Sequence, residues 1–362
     1  PSLFERTLNR PWLPNLIQTG MTLKTNSLPS VEFFQTHEVP IARIPLEVFP
    51  SFYAYVYLLL LEDMQILMDT GSGFGRANQQ LEAGLQTASE IFEQPIRLDT
   101  LTHVLVTHGH IDHFGGLTYI RPRTSAQIGI HELDYRTITN YEERLTLVSH
   151  RLSNFLWEAG VTPEEHTELL SLYRFNKNLF QSTPIDFTFE AIGMQLGPLK
   201  MLHVPGHCAG QTIFRLHDYL FIGDHVLSRT TPHMAPESLT HNTGLGHYLT
   251  SLTAMEAWIQ GVTLTLPAHE NVITDLPTRI ESIRHHHFER LEKVLAILET
   301  PKTIAEVSYA LFRRPKGYDA LLAVEEAGAH IEYLYQRGRV RIANLDELEN
   351  ATAHVPLKYV RL

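Results

Sequence analysis

Thr107-His108-Gly109-His110-Ile111-Asp112-His113-Phe114-Gly115-Gly116 places four metal-competent side chains within six residues, and the reading of this run decides the fold. Side chains two apart in an irregular loop can converge on one ion, while Asp112 and His113 can turn toward a second. Imidazole and carboxylate without thiolate suit zinc and, less selectively, iron or manganese. The preceding segment, 101–107 (LTHVLVT), has the short, β-branched character of a buried strand. The histidine-rich loop therefore begins at a strand's C-terminal end, where α/β folds place their chemistry.

Three more positions lie at the ends of expected strands, where a sheet would deliver them to the same edge. They are His207 in Val204-Pro205-Gly206-His207, Asp224 in Ile222-Gly223-Asp224-His225, and His269 in Leu266-Pro267-Ala268-His269. Taken singly, a strand-end histidine is an ordinary hydrogen-bonded surface residue. Taken together and in this order, the seven positions form a pattern.

That pattern resembles the metallo-β-lactamase superfamily, which shows H-x-H-x-D-H, then a His after Pro-Gly, an Asp after a strand and a final His. The match runs over roughly 36–280 and implies an α/β fold, the αββα sandwich. It also implies two divalent metal ions per chain, zinc first, with iron or manganese as alternatives. By this resemblance His108, His110 and His207 would hold one ion, Asp112, His113 and His269 the other, and Asp224 would bridge them. A hydroxide bridging two cations would be the nucleophile, Asp112 and Asp224 would serve catalysis, and no Ser or Cys nucleophile is required. Asp69, in Met68-Asp69-Thr70-Gly71, matches a family position that orients the ligand histidines. Ala268 departs from the Gly found there in many relatives. Tyr248, in Gly246-His247-Tyr248-Leu249, matches a stretch that would contact substrate. Cys208 adjoins His207, but its side chain should point away.

Strands are expected at 52–62, 64–69, 199–204, 211–216, 219–223 and 262–266, and helices at 75–93, 245–260 and 277–298. Residues 131–182 read as a helical insertion near the active site, its aromatics Phe155, Trp157, Tyr173, Phe175 and Phe180 packing between helices. Helices at 303–311 and 318–336 and a ribbon at 338–342 and 356–361 give the order of a winged helix. Ala329-His330-Ile331-Glu332-Tyr333-Leu334 resembles the winged-helix domain of the β-lactamase-like protein 2 branch. This gives a hydrolase domain at 1–280 and a small winged-helix domain at 281–362. The triplet His285-His286-His287 should lie on a helix surface.

The 362 residues carry a formal charge of −11, which opposes attraction to a polyanion or an acidic membrane. Residues 281–362 hold 12 Lys and Arg against 12 Asp and Glu, so the winged helix lacks the basic stripe of a nucleic-acid module. Nucleic acid is thus disfavoured as a partner, and the domain would wall the active site or support a homodimer. The longest apolar run, 53–61, falls short of the roughly 20 residues needed to span a bilayer. One cysteine and an opening stretch, 1–20, without secretory features suggest the cytoplasm. The leading expectation is hydrolysis of an ester-type bond, a thioester or lactone, in a small-molecule substrate. RNA phosphodiester hydrolysis is the alternative enzyme, and a winged-helix DNA-binding regulator with a vestigial hydrolase is the alternative of another class.

Overall fold

The computed structural model describes residues 28–177 and 180–362. The expectation drawn from residues 1–20 therefore lies outside the described residues. The described residues open with β1 (Glu32–Thr36) and β2 (Val39–Phe49), ahead of the expected hairpin β3 (Phe52–Leu61) and β4 (Met64–Met68). Next come α1 (Ala77–Ile91), β5 (His103–Leu105), short helices α2 (Ile111–Phe114) and α3 (Leu117–Ile120), and β6 (Gln127–Ile130). The helical block is α4 (Glu132–Thr139), α5 (Tyr141–Ala159) and α6 (Pro163–Lys177), and β7 (Phe187–Thr188) completes a seven-stranded sheet in chain order.

The second sheet takes β8 (Gln195–Leu196), β9 (Leu199–His203), β10 (Thr212–Leu216) and β11 (Tyr219–Gly223). Helix α7 (Leu245–Ala254) then crosses to β12 (Leu264–Pro267), which pairs parallel with β11. The C-terminal region is α8 (Leu276–Ile297), α9 (Ile304–Phe312), α10 (Tyr318–Gln336), β13 (Val340–Ile342), α11 (Leu345–Glu349) and β14 (Tyr359–Arg361).

Strand alternation builds the layers. On β3, Tyr57 and Leu59 face the second sheet, where they meet Phe214 and Leu216 of β10 and Phe221 of β11. The intervening Val56, Leu58 and Leu60 face outward onto Leu81, Leu85 and Ala88 of α1. On the other side Ile213, Leu220 and Ile222 face the helices. Two sheets covered by helices on both outer faces are the αββα sandwich. Each fully buried Leu, Ile or Phe contributes roughly 1.5–3 kcal/mol.

Strand β2 was not expected because Pro40 and Pro45 interrupt its sequence signal. The register shows how both are tolerated. β1 pairs with residues 39–43 and β3 with 41–49, so Pro40 has a neighbour only on the β1 side and Pro45 only on the β3 side.

The expected boundary at residue 280 falls inside α8. Beyond it come α9, α10 and an antiparallel ribbon of β13 and β14, with α11 between the two strands. Their apolar faces join a core already present: Leu291, Val294, Ile304, Leu321 and Val324 share one cluster with Ile213 and Leu220 of the second sheet and Leu152 and Leu156 of α5. Among the described residues, no helix is long and apolar enough to cross a membrane.

Candidate metal centre

Strand ends deliver the chemistry. β4 and β5 run parallel, as do β11 and β12, so Asp69, the 108–113 loop, Asp224 and His269 all follow C-terminal strand ends. Helix α2 begins directly after His110, whose backbone is extended, and this turn carries Asp112 and His113 away from the first two histidines. Gly116 permits the tight approach of the neighbouring loop, since a Cβ there would lie 2.3 Å from the Thr70 carbonyl oxygen.

The seven expected residues come together as two groups. Ligand atoms of His108, His110 and His207 lie within 4.8 Å of one another, as do those of Asp112, His113, Asp224 and His269. His207 Nδ1 donates to the His233 carbonyl oxygen at 2.9 Å, His113 Nδ1 donates to Asp69 Oδ2 at 2.9 Å, and His269 Nδ1 donates to the Tyr53 carbonyl oxygen at 2.7 Å. Each Nε2 is thereby the ring nitrogen left facing inward. His108 uses Nδ1 toward Thr107 Oγ1 at 3.0 Å, which directs its Nε2 inward as well, 3.0 Å from His110 Nδ1.

Asp224 lies between the groups. Its Oδ2 is 3.4 Å from Nε2 of both His113 and His269, 3.7 Å from that of His207 and 4.0 Å from that of His108. Asp112 Oδ2 lies 3.3 Å from His269 Nε2 and 3.6 Å from His113 Nε2. The Nε2 atoms of His113, His207 and His269 and Oδ1 of Asp224 are buried without a hydrogen-bond partner. Such atoms cost roughly 1–3 kcal/mol each when unsatisfied, and a divalent cation would satisfy them together. The residues fit metal.

The metal-free charges are strongly coupled. Burial alone would lower the His113 and His269 pKa values, but the Asp224 and Asp112 carboxylates outweigh it. His113 is raised well above the ordinary histidine range and His269 to about 10. Burial alone would raise Asp224, but His269 and His113 hold it well below the usual carboxylate range. His108 is pushed well down by burial and by the neighbouring imidazoles.

Two carboxylates brace these loops. Asp69, at φ 62°, takes the Thr107 N–H on Oδ1 at 2.7 Å and the Thr107 hydroxyl on Oδ2 at 2.9 Å, beside its bond to His113. Asp134 was not among the expected residues. From α4 its Oδ2 accepts the Gly109 N–H at 2.8 Å and the Cys208 thiol at 3.2 Å, tying the 108–110 loop to the 207–208 loop. Its only sequence signal is its place in the first turn of a helix that directly follows a strand. Cys208 points to Asp134 rather than into either group. Burial and the Asp134 charge push its thiol pKa well up.

Two expectations need correction. Tyr248 does not face substrate, because it is completely buried and its hydroxyl donates to the His225 carbonyl oxygen at 2.9 Å. It packs beneath the His207 loop, whose Gly206 meets its backbone. The histidine triplet is not uniformly on the surface either. His287 is fully buried, on the stripe Ile280, Ile283, His287, Leu291, Val294, a helical spacing legible in the sequence. His287, Glu326 and His330 form a third group of metal-competent atoms, but Arg290 already supplies the cation for Glu326. His330 Nδ1 donates to the Glu326 carbonyl oxygen at 2.8 Å and its Nε2 lies 3.2 Å from His287 Nδ1, while burial lowers the His287 pKa to about 3. This group is a neutral histidine pair beside an ion pair.

The insertion's described aromatics pack as expected, with Phe155 in the core and Trp157 stacked on His166 at 4.1 Å. Ala268 is buried and makes the backbone bonds Ala268 N–H to Gly223 and Tyr55 N–H to Ala268, without positive φ, so its Cβ is accommodated. Phe52 is 47% exposed with its ring 4.7 Å from that of His269, an apolar surface beside the centre that carried no sequence signal.

Known proteins are similar to this chain. Lactamase-like protein nscB of Neosartorya fischeri is 26% identical over 263 residues, 72% of this chain and 61% of that protein. The chain thus spans about three fifths of the length of the curated relatives it matches first. Atrochrysone carboxyl ACP thioesterase of Aspergillus chevalieri is 32% identical over 102 residues, 28% of this chain and 30% of that protein. The crystal structure of a metallo-beta-lactamase family protein from Thermus thermophilus has a TM-score of 0.68 at 25% identity, covering 89% of this chain and 98% of that one. A beta-lactamase domain protein from Burkholderia ambifaria shares the fold, with a TM-score of 0.69 at 22% identity over 93% of this chain and 97% of that one. The model of the metallo-beta-lactamase superfamily matches residues 50–269, more than half of the chain and all seven candidate ligands. With that match, the αββα layers and the two ligand groups at the strand ends, the chain belongs to the metallo-beta-lactamase superfamily.

Proposed function

We propose that the chain is a binuclear metallohydrolase acting on an ester-type bond, a thioester or lactone, of a small-molecule substrate in the cytoplasm. The observation that carries this reading is Asp224 Oδ2, one oxygen within 3.4–4.0 Å of Nε2 atoms from both ligand groups. His108, His110 and His207 would hold one divalent ion, Asp112, His113 and His269 the second, and Asp224 would bridge. Zinc suits the nitrogen-rich donor set, with iron or manganese as alternatives. Bound there, such ions would supply an acidified water as nucleophile and Lewis-acid polarisation of the substrate carbonyl.

The chain's own residues do the rest. Asp112, the more solvent-accessible of the two carboxylates at 15% against 10% for Asp224, would accept a proton and pass it to the leaving group. Phe52 offers apolar area for an acyl group. The relative named as a thioesterase supports the ester-type choice. The basic residues of the C-terminal segment are partly engaged, with Arg337 over the Tyr333 ring and Arg314 over the Tyr309 ring, which opposes a nucleic-acid surface.

The test combines elemental analysis with a hydrolysis screen over thioesters, lactones, phosphodiesters and β-lactams. Close to two metal ions per chain and chelator-sensitive turnover of a thioester or lactone are expected. Turnover of phosphodiesters alone would replace the substrate class, and protein that binds no zinc, manganese or iron would overturn the reading.

A further inference from the structure

We propose that Glu326, on α10, is a positioning residue for His207, acting through the single peptide group between His233 and Met234. His207 Nδ1 donates to the His233 carbonyl oxygen at 2.9 Å, and the Met234 N–H of the same peptide donates to Glu326 Oε2 at 2.8 Å. One amide thus accepts from the imidazole at one end and donates to a carboxylate at the other. A carboxylate on the N–H polarises the amide and makes its oxygen a stronger acceptor, since hydrogen bonds in a chain reinforce one another in a low-dielectric interior. A stronger acceptor at Nδ1–H fixes the ring and makes Nε2 more basic, as a directly bonded carboxylate does for other metal-binding histidines.

The surroundings favour this role. Glu326 is 7% exposed, and Arg290 of α8 pairs its other oxygen, Oε1, so Oε2 is directed at Met234. Burial would raise its pKa, but the paired Arg290 guanidinium outweighs that, so the carboxylate is ionised. The peptide cannot swing away, because His233 Nε2 also donates to the Leu322 carbonyl oxygen of α10 at 3.1 Å. The segment beyond it is held too, since Glu332 accepts the Glu237 and Ser238 N–H groups at 2.7 and 3.2 Å. The C-terminal helices therefore reach the ligand set through backbone.

The proposal rests on His207 holding a metal ion. The experiment is a zinc titration against a chromophoric chelator, with nuclear magnetic resonance of the His207 Nδ1–H, on the full chain and on Glu326→Gln. Glutamine keeps the shape and removes the charge. Expected are about tenfold weaker zinc affinity and an upfield shift of the His207 Nδ1–H, while His113, braced by Asp69, keeps its own shift. A folded variant with parental affinity and an unmoved His207 resonance overturns the proposal while leaving the metallohydrolase reading intact. If the parent itself binds no zinc, both fall. Should the variant fail to fold, the parent decides: polarisation runs both ways, so zinc loading must move the Met234 amide proton downfield, and an unmoved amide overturns the proposal.

Discussion

His113 Nδ1 donates to Asp69 Oδ2 at 2.9 Å, joining a ligand at the start of one helix to a carboxylate at the end of a strand 44 residues earlier. The same Asp69 oxygen also takes the Thr107 hydroxyl, so ring orientation and loop path are set by one buried group. In Asp69→Asn, an amide that keeps its oxygen on Thr107 turns an N–H toward the His113 N–H. Metal affinity of the Asp112, His113 and His269 group should fall about 10–100-fold. Chelator competition checks this, and parental affinity in a folded variant rejects it.

Loading metal should release about two protons per chain near pH 8. His113 and His269 are raised in the metal-free chain, the latter to about 10, so both are protonated at that pH and must become neutral to coordinate. Affinity should therefore rise with pH until it passes about 10. The stability sign follows: His269, being raised, stabilises the metal-free fold fully below the unfolded value of about 6.5, and this stability is lost as pH rises through about 10. Dye-monitored proton release in weak buffer, with melting curves from pH 6 to 10, tests both; zero release sinks the assignment.

Asp224→Asn should reduce metal occupancy toward one ion and slow turnover by a few orders of magnitude, each tenfold corresponding to about 1.4 kcal/mol of barrier. A neutral amide cannot offer anionic oxygen to both groups at once. It also removes the charge that does most to raise His113 and His269, so their metal-free pKa values should drop. Metal content and turnover within about twofold of the parent would contradict a bridging role.

Gly206→Ala should damage the centre from behind. Gly206 sits at φ 142°, and a Cβ there would lie 2.5 Å from the Tyr248 Cα, which is backbone and cannot rotate aside. Backbone strain alone costs roughly 1–3 kcal/mol, and the adjacent His207 must move. A lower melting temperature and weaker binding at the His108, His110 and His207 group are expected; an alanine variant with both unchanged would disprove the tight approach.

The ligand run was legible because its chemistry is local. H-x-H-x-D-H needs only a loop after a strand, and LTHVLVT announces that strand by its own β-branched residues. The positions of His207, Asp224 and His269 were legible for the same reason, as the residues after short apolar runs. The αββα layers are written in the alternation of β3, β10 and β11. Pro40 and Pro45 hid β2, because a local reading cannot know that each proline has a neighbouring strand on one side only.

What the chain's order of residues could not supply was pairing across distance. Which nitrogen of His207 carries the proton depends on His233, and the strength of that acceptor depends on Glu326, 119 positions beyond the ligand. Asp224 reaches histidines of both groups only because β5, β9, β11 and β12 end at one edge. Tyr248 matched a motif but lies in the core, since Gly206 lets the ligand loop settle onto its backbone. His287 appeared as one of three adjacent histidines; its place on the apolar stripe of α8 turns it inward, and packing against α10 supplies its partner, His330. Periodicity determines which face of an element is apolar; the partner that meets that face, and therefore every tautomer and charge in the centre, is decided when distant segments share one buried, low-dielectric volume.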